Sequence, residues 1–339
     1  MRDITALVPQ EDRAGLKKRR QPAWISPMLA TLTNDRFSNP DWLYERKFDG
    51  ERCLAFRNGR QLDLLTRNQK TLNGTYPELY EALRGQQADD FIVDGEVVAF
   101  AGGATSFARL QQRMQRKAPE RVRRQVAVYY YLFDILYAGG YDVTALPLRI
   151  RKEILRQTID FRDPLRFSTH RNAQGEAYYR SACKRAWEGV IAKRADSRYE
   201  SRRSSSWLKF KCVQGQELAI GGYTGPQGSR IGLGALLVGY FEGGKLRYAG
   251  KVGTGYDEAT LRMLHKRLSA IVQTESPFSS SDLRGLPKKR AHWVAPKLVA
   301  QVGFTEWTRD GKLRHPRFLG LRTDKDTREV VRERDRHEK

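Results

Sequence analysis

Glu45-Arg46-Lys47-Phe48-Asp49-Gly50-Glu51-Arg52 sets a lysine between acids at two residues on either side, just ahead of an Asp-Gly pair. A lysine that acts as a nucleophile must be held in place and must shed its proton. Nearby cations or desolvation lower its pKa enough for that. The same letters also spell a lysine before an ordinary Asp-Gly turn. The stretch alone does not separate the two, so its surroundings decide.

Downstream, Arg52 to Arg57 and Gln61 to Thr66 read as short strands around Asn58-Gly59, a hairpin signal. Pro77 to Leu83 reads as a helix closed by Gly85. Phe91 to Phe100 and Val126 to Leu136 are rich in β-branched and aromatic residues, and the second is expected to be a central buried strand. Arg149 to Thr158 is a candidate helix, and Gly189 to Lys193 and Trp207 to Cys212 are further strands. Strands mixed irregularly with helices predict an α+β domain of antiparallel sheets over residues 24–213. From about Gln216 the character changes. Glu217 to Tyr223, Gly234 to Phe241 and Lys245 to Val252 read as successive strands, with Gly243-Gly244 turning the last pair. Tyr256 to Val272 reads as an amphipathic helix with Asp257 as N-cap, and strand returns at Lys297 to Trp307 and near Phe318. Short strands with one inserted helix predict an OB-fold β-barrel over residues 216–330. Residues 1–23, with Lys17-Lys18-Arg19-Arg20, read as a flexible basic tail, and residues 331–339 as a charged tail.

The chain has 339 residues, and 62 Lys and Arg against 39 Asp and Glu give a formal charge of +23. Such an excess implies a polyanionic partner, with nucleic acid foremost. An anionic membrane is the competing reading, but no apolar run approaches a bilayer span and no signal-peptide core is present. Cys53, Cys183 and Cys212 are odd in number and form no C-x-x-C pair, so reduced thiols in a cytoplasmic protein are expected. The five histidines show no ligand spacing.

Further stretches follow the lysine in order: Val93-Asp94-Gly95-Glu96, Tyr131-Leu132-Phe133-Asp134, Trp187-Glu188-Gly189-Val190-Ile191-Ala192-Lys193 and Ser206-Trp207-Leu208-Lys209-Phe210-Lys211. Singly, each has a plain structural reading as turn, core or solvated strand face. Together, and with Arg314-His315-Pro316-Arg317-Phe318-Leu319-Gly320-Leu321-Arg322-Thr323-Asp324-Lys325, they resemble the collinear motifs of covalent nucleotidyltransferases. That superfamily holds ATP-dependent DNA ligases, RNA ligases and capping enzymes. Ser26-Pro27-Met28-Leu29-Ala30, Ala219-Ile220-Gly221-Gly222-Tyr223-Thr224 and Gly250-Lys251-Val252-Gly253-Thr254-Gly255 are similar to the ligase module of bacterial end-joining enzymes.

The resemblance implies an adenylation domain over residues 24–213, and roles for named residues. Lys47 would attack the α-phosphate of ATP and carry AMP. Glu45 would contact adenine, Phe133 would stack on it, and Glu96 would bind a ribose hydroxyl. Arg52, Arg67 and Arg203 would contact ribose or phosphate, and Lys209 and Lys211 would hold the α-phosphate. Arg322 and Lys325 would orient the leaving pyrophosphate after the barrel closes about a hinge at Val213-Gln214-Gly215. Glu188, with Glu96 behind it, would ligate Mg²⁺, with Mn²⁺ as the alternative. The implied protein is a monomeric DNA repair ligase of the bacterial cytoplasm. It would act on nicked or broken duplex DNA, with a Ku-like end-binding protein as partner in non-homologous end joining. RNA ligation or capping by the same chemistry, and a basic barrel that only binds nucleic acid, are the competing readings. From Arg284 to Lys325 eleven cations face three acids, interleaved with Trp293, Phe304, Trp307 and Phe318, a pattern suited to tracking phosphates.

Overall fold

The computed structural model describes residues 4–114, 120–212, 215–226, 232–279, 282, 291–308 and 310–333. The chain divides into two units, Met1–Cys212 and Val213–Glu333. In chain order the first contains β1 (Lys17–Lys18), β2 (Leu29–Leu32), β3 (Trp42–Lys47), β4 (Glu51–Asn58), β5 (Gln61–Thr66) and α1 (Pro77–Arg84). Next come β6 (Asp90–Ala101), β7 (Ala104–Thr105), α2 (Phe107–Gln111), α3 (Glu120–Gln125), β8 (Val128–Ala138) and β9 (Tyr141–Asp142). It ends with α4 (Leu148–Thr158), β10 (Leu165–Phe167), β11 (His170–Asn172), α5 (Gly175–Lys184), β12 (Gly189–Arg194) and β13 (Arg203–Lys211).

Two sheets result, one ordered β1-β9-β8-β6-β4-β5 and the other β11-β3-β12-β13-β2. Pairing is antiparallel except where β10 joins β8 and β2 joins β13. The hairpin at Asn58-Gly59 forms, with Gly59 at φ +60°. Val128–Ala138 is the interior strand its apolar run predicts, buried between β9 and β6. Met28, Leu54, Phe133 and Trp207 belong to one buried cluster that packs the two sheets together. On the far side of the second sheet Tyr44, Val190, Leu208 and Phe210 pack with Tyr178 and Ala182 of α5. Arg151 of α4 grips Asp134 of β8 with two hydrogen bonds of 2.8 and 2.9 Å, both side chains fully buried. Its other amino group donates to the carbonyls of Leu146 and Ser197, so the buried charge is fully answered.

The second unit runs through β14 (Gly215–Thr224), β15 (Leu236–Glu242), β16 (Lys245–Val252), α6 (Glu258–Ser269), β17 (Val272–Gln273), β18 (Ala291–Val294), β19 (Val299–Gly303) and β20 (Arg317–Arg322). β14 pairs with β15, β18 and β19, and β20 pairs with β19. The sheet curls until Leu313 N donates to Ala249 O at 2.8 Å and Phe318 N to Thr254 O at 2.9 Å, tying the β16 edge to the segment that enters β20. This is the barrel expected from the strand pattern. Asp257 caps α6 through Thr260 N at 2.7 Å, and Leu261, Leu264 and Leu268 bury its inner face. Phe304 and Phe318 are core residues here, and Trp307 packs against them, so these aromatics face inward. Exposed Lys297, Arg314 and Arg317 lie on the surface. Arg284, Lys288, Lys289, Arg290 and Arg309 fall outside the described residues, as do Val213 and Gln214 of the expected hinge.

Three expectations are corrected. Residues 4–23 are not a loose tail: Ile4 and Val8 are buried in the main core, and Lys17–Lys18 pairs with β9. Gln21 donates to Arg57 O at 2.7 Å and Asp90 Oδ1 at 2.9 Å. The basic composition concealed this, because an edge strand uses its backbone while its lysines stay in water. At the other end Val330 is buried and Glu333 N donates to Gln216 Oε1 at 3.1 Å, so the charged tail does not begin at 331. The cysteines are not all reduced thiols: Cys183 and Cys212, 29 residues apart, are brought together by the packing of α5 beside the end of β13 and are joined by a disulfide with Cα atoms 5.2 Å apart, while Cys53 is free and buried. Removing residues 1–16 is expected to cost the first unit about 2–4 kcal/mol in urea unfolding, the burial of Ile4 and Val8 less the part retained in a compact unfolded chain. An unchanged midpoint would return the segment to the status of a tail.

Candidate active site

Three adjacent strands of the second sheet set the site. Lys47 of β3 stands opposite Gly189 of β12, which stands opposite Lys211 of β13. Two residues along, Glu45, Ile191 and Lys209 form the next row on this face, and Leu43, Lys193 and Trp207 the third. Paired residues share a face and side chains alternate, so Lys47, Glu45, Lys193, Lys209 and Lys211 all point to the same side. At two strand spacings, the Lys47 and Lys211 backbones lie about 10 Å apart. Lys209 and Lys211 are each buried to 8% exposure.

Lys47 Nζ forms an ion pair with Glu188 Oε1, the residue just ahead of β12. Burial pulls the Lys47 pKa down, but Glu188, with Asp49 and Glu96, overrides that and holds it above the ordinary lysine value. Two glycines make the geometry possible. A Cβ on Gly50 would stand 2.2 Å from Val97 O, and one on Gly189, at φ +151°, would stand 1.9 Å from Phe210 O. A side chain at Gly50 would push the turn after Lys47 off β6, and one at Gly189 would push β12 off β13 just after Glu188.

Glu45 is 2% exposed and takes hydrogen bonds from Lys152 Nζ at 2.7 Å, Ser168 Oγ at 2.9 Å and Lys193 Nζ at 3.0 Å. Burial alone would raise its pKa; Lys152 and Lys193 outweigh burial and keep it below the usual carboxylate range. Lys193 pays for its burial with a pKa pushed down to about 8, despite the pull of Glu45. Its ammonium lies 4.3 Å from the Phe133 ring centroid and 4.1 Å from that of Trp207. Arg52 approaches the same Phe133 ring at 4.6 Å and forks onto Asp94 with two bonds of 2.5 Å. Asp94 is fully buried and also accepts from Tyr199 Oη at 2.6 Å.

The structure thus brings Lys47, Glu45, Arg52, Phe133, Glu188, Lys209 and Lys211 onto or against one sheet face. Glu96 joins them, its charge acting on both Lys47 and Arg52. Arg67 follows directly on β5, half-buried. Arg203 opens β13 at the end away from Lys209, is exposed, and donates to Ala30 O at 2.5 Å. Arg322 and Lys325 belong to the second unit. There Arg322 forks onto Asp324 at 2.8 and 2.9 Å, and Lys325 lies 3.5 Å from Glu217. Sequence reasoning gave no role to Lys152, Lys193, Ser168 or Asp94. Lys193 was legible, two and four residues along the strand face from Ile191 and Gly189. Asp94 read as a turn residue, yet Asp94-Gly95 lies inside β6, at a bulge against β8.

Among the described residues no cluster of three or more His, Cys, Asp or Glu side chains could hold a metal ion. A hard divalent ion does not require one, since Mg²⁺ takes one or two carboxylates and fills its shell with phosphate oxygens and water. Glu188 Oε2 is buried with no hydrogen-bond partner, so it has an unmet need that a cation would answer. The residues present therefore fit a divalent ion on Glu188 with Glu96 beside it.

Residues 27–211 match the model of the ATP dependent DNA ligase domain, and residues 229–325 that of the ATP dependent DNA ligase C terminal region. The multifunctional non-homologous end joining protein LigD of Pseudomonas aeruginosa is 38% identical over 327 residues, 94% of this chain and 38% of that protein. The LigD of Mycobacterium tuberculosis is 36% identical over 318 residues, 91% of this chain and 40% of that one. The chain spans about two fifths of the length of these curated relatives. A mycobacterial DNA ligase D complexed with ATP and MES superposes with a TM-score of 0.64 at 33% identity, covering 91% of this chain and 98% of that one. With a family model over residues 27–211 and three lysines and a buried carboxylate set on one sheet face, the chain belongs to the ATP-dependent DNA ligases.

Proposed function

We propose that this chain seals nicks or ends in duplex DNA through an AMP carried on Lys47, and that it works in DNA repair. The observation that supports this most is the three-strand row Lys47, Gly189 and Lys211, with Glu188 against the amine. The neutral Nζ attacks the α-phosphorus of ATP, an N–P bond forms, and the bond to the pyrophosphate oxygen breaks. A DNA 5′-phosphate oxygen next takes the adenylyl group from Lys47. The 3′-hydroxyl then attacks that 5′-phosphorus and releases AMP. Each step moves a phosphorus centre, so the protein aligns groups and neutralises charge.

In this reading Lys209 and Lys211 face the α-phosphate and stabilise the charge that builds on it. Glu45, kept ionised by Lys152 and Lys193, accepts from the amino group of adenine, and Phe133 stacks on the ring. Arg52, aimed by Asp94, and Arg67 and Arg203 contact ribose or phosphate, and Glu96 takes a ribose hydroxyl. Arg322 and Lys325 orient the leaving pyrophosphate. Mg²⁺, or Mn²⁺ in its place, supplies further positive charge to the phosphate oxygens when bound at Glu188 and Glu96. Glu188 has a second part to play: its carboxylate holds the Lys47 ammonium until the proton leaves.

LigD relatives are named for non-homologous end joining. We extend that role to this chain as a monomer in the bacterial cytoplasm, working beside a Ku-like end-binding protein. No described helix is long and apolar enough to cross a membrane. If a Ku-like protein fails to stimulate joining of broken ends by this enzyme, the end-joining part falls while nick sealing stands.

Three outcomes test the reading. With ATP and Mg²⁺, the wild type is expected to seal a nicked DNA duplex and Lys47→Ala is not; sealing by that variant, or action on RNA nicks alone, would contradict it. Lys211→Ala is expected to slow self-adenylation by about 10²–10³-fold in single-turnover labelling, the usual loss for one charge-stabilising group. The raised Lys47 pKa means that the reactive amine is scarce at neutral pH and grows as pH rises. Adenylation is therefore expected to climb about tenfold per pH unit through the neutral range. A flat profile would mean that the amine is already neutral.

A further inference from the structure

The first unit carries a second concentration of positive charge, around a cavity of about 310 Å³ that none of Lys47, Arg52, Phe133, Lys209 or Lys211 lines. Helix α4 contributes Arg149, Lys152 and Arg156 to its wall. Their spacing of three and four residues puts all three on one helix face. Phe167 and His170 line it as well. The start of α4 is pinned, since Arg149 N donates to Ala195 O, another wall residue, at 3.0 Å.

The cations differ in how they are committed. Lys152 is buried and bonded to Glu45 and Ser168. Arg149 and Arg156 are exposed, and neither forms a salt bridge among the described residues, although the charge of Arg149 reaches Asp196. Glu153, the one acid in the wall, takes a hydrogen bond from Gln157 Nε2 at 2.9 Å. The Arg156 guanidinium is steadied against the Phe167 ring, 4.7 Å from its centroid. His170 Nδ1 is buried with no hydrogen-bond partner, so the wall also holds an unmet polar atom.

Cavities for organic ligands are mostly apolar, with volumes of roughly 300–1,000 Å³. This one is at the small end and its uncommitted groups are guanidinium forks, which match the oxygens of a phosphate better than any neutral molecule. We propose that the cavity is an accessory phosphate-binding site, in which Arg149 and Arg156 hold one phosphate group apart from the adenylation centre. The same chemistry is offered by a free phosphate ion or by one backbone phosphate of a nucleic acid. The site does not depend on the ligase mechanism above, because none of its uncommitted residues takes part in it.

The test compares the wild type with the Arg149→Gln/Arg156→Gln double variant, which leaves Glu45 and Lys152 untouched. Thermal unfolding is followed in sodium phosphate and in sodium chloride of equal ionic strength. The wild type is expected to gain about 2 °C from phosphate over chloride, and the double variant to lose most of that gain. Binding of a nicked duplex, measured by anisotropy against salt, then separates the sources. A several-fold loss of duplex affinity in the variant, with the salt slope reduced by about one or two, assigns the site to a backbone phosphate. Unchanged duplex binding with the phosphate gain lost assigns it to a free ion. An equal phosphate gain in both proteins overturns the proposal whatever the duplex does.

Discussion

The ion pair between Lys47 and Glu188 is the constraint that gives the rest of the first unit its meaning. It joins the end of β3 to the start of β12, beside Gly50 and Gly189, which let β6 and β13 pass close to these two strand ends. The pair also defines a resting state. A buried amine without a partner would lose its proton readily, whereas this one keeps it because a carboxylate answers the charge. In the proposed reaction, freeing the Lys47 amine means separating these two groups, and a cation that competes for Glu188 would do so.

Around that pair, charge is arranged in layers. Glu45 is wedged between Lys152 and Lys193, and Arg52 is forked onto Asp94. Arg151 grips Asp134 one strand layer away. Buried pairs of this kind contribute little net stability, because desolvation offsets their attraction. Their contribution is geometric: each ion has its partner in one arrangement only, so helix α4, strand β6 and strand β8 have a fixed relation to β3. The apolar cluster of Met28, Leu54, Phe133 and Trp207 supplies the cohesion that lets these polar contacts stay dry.

Much of this was legible beforehand, and the failures have physical causes. The hairpin at Asn58-Gly59, the buried run from Val128 and the face of α6 follow from local chemistry and period, which a single chain displays. Lys209 and Lys211 were visible as one strand face. What stayed hidden depends on contacts between distant segments. Lys152 sits 107 residues from Glu45, and nothing in its helix marks it as a ligand of that carboxylate. Cys183 and Cys212, 29 residues apart, meet only because α5 packs beside the end of β13. Ile4 and Val8 were submerged in a basic segment whose composition suggested solvent. Arg322 and Lys325 were singled out by motif, and the structure gives their local partners within the second unit.

Ligation as proposed begins with one amine becoming bonded to one phosphorus. Intact-mass analysis of the protein after incubation with ATP and Mg²⁺, followed by fragmentation to place the added group, tests that most directly. The expected result is a gain of a single AMP located on Lys47. An AMP found on another residue, or a mass that does not change while the protein remains folded, would contradict the account.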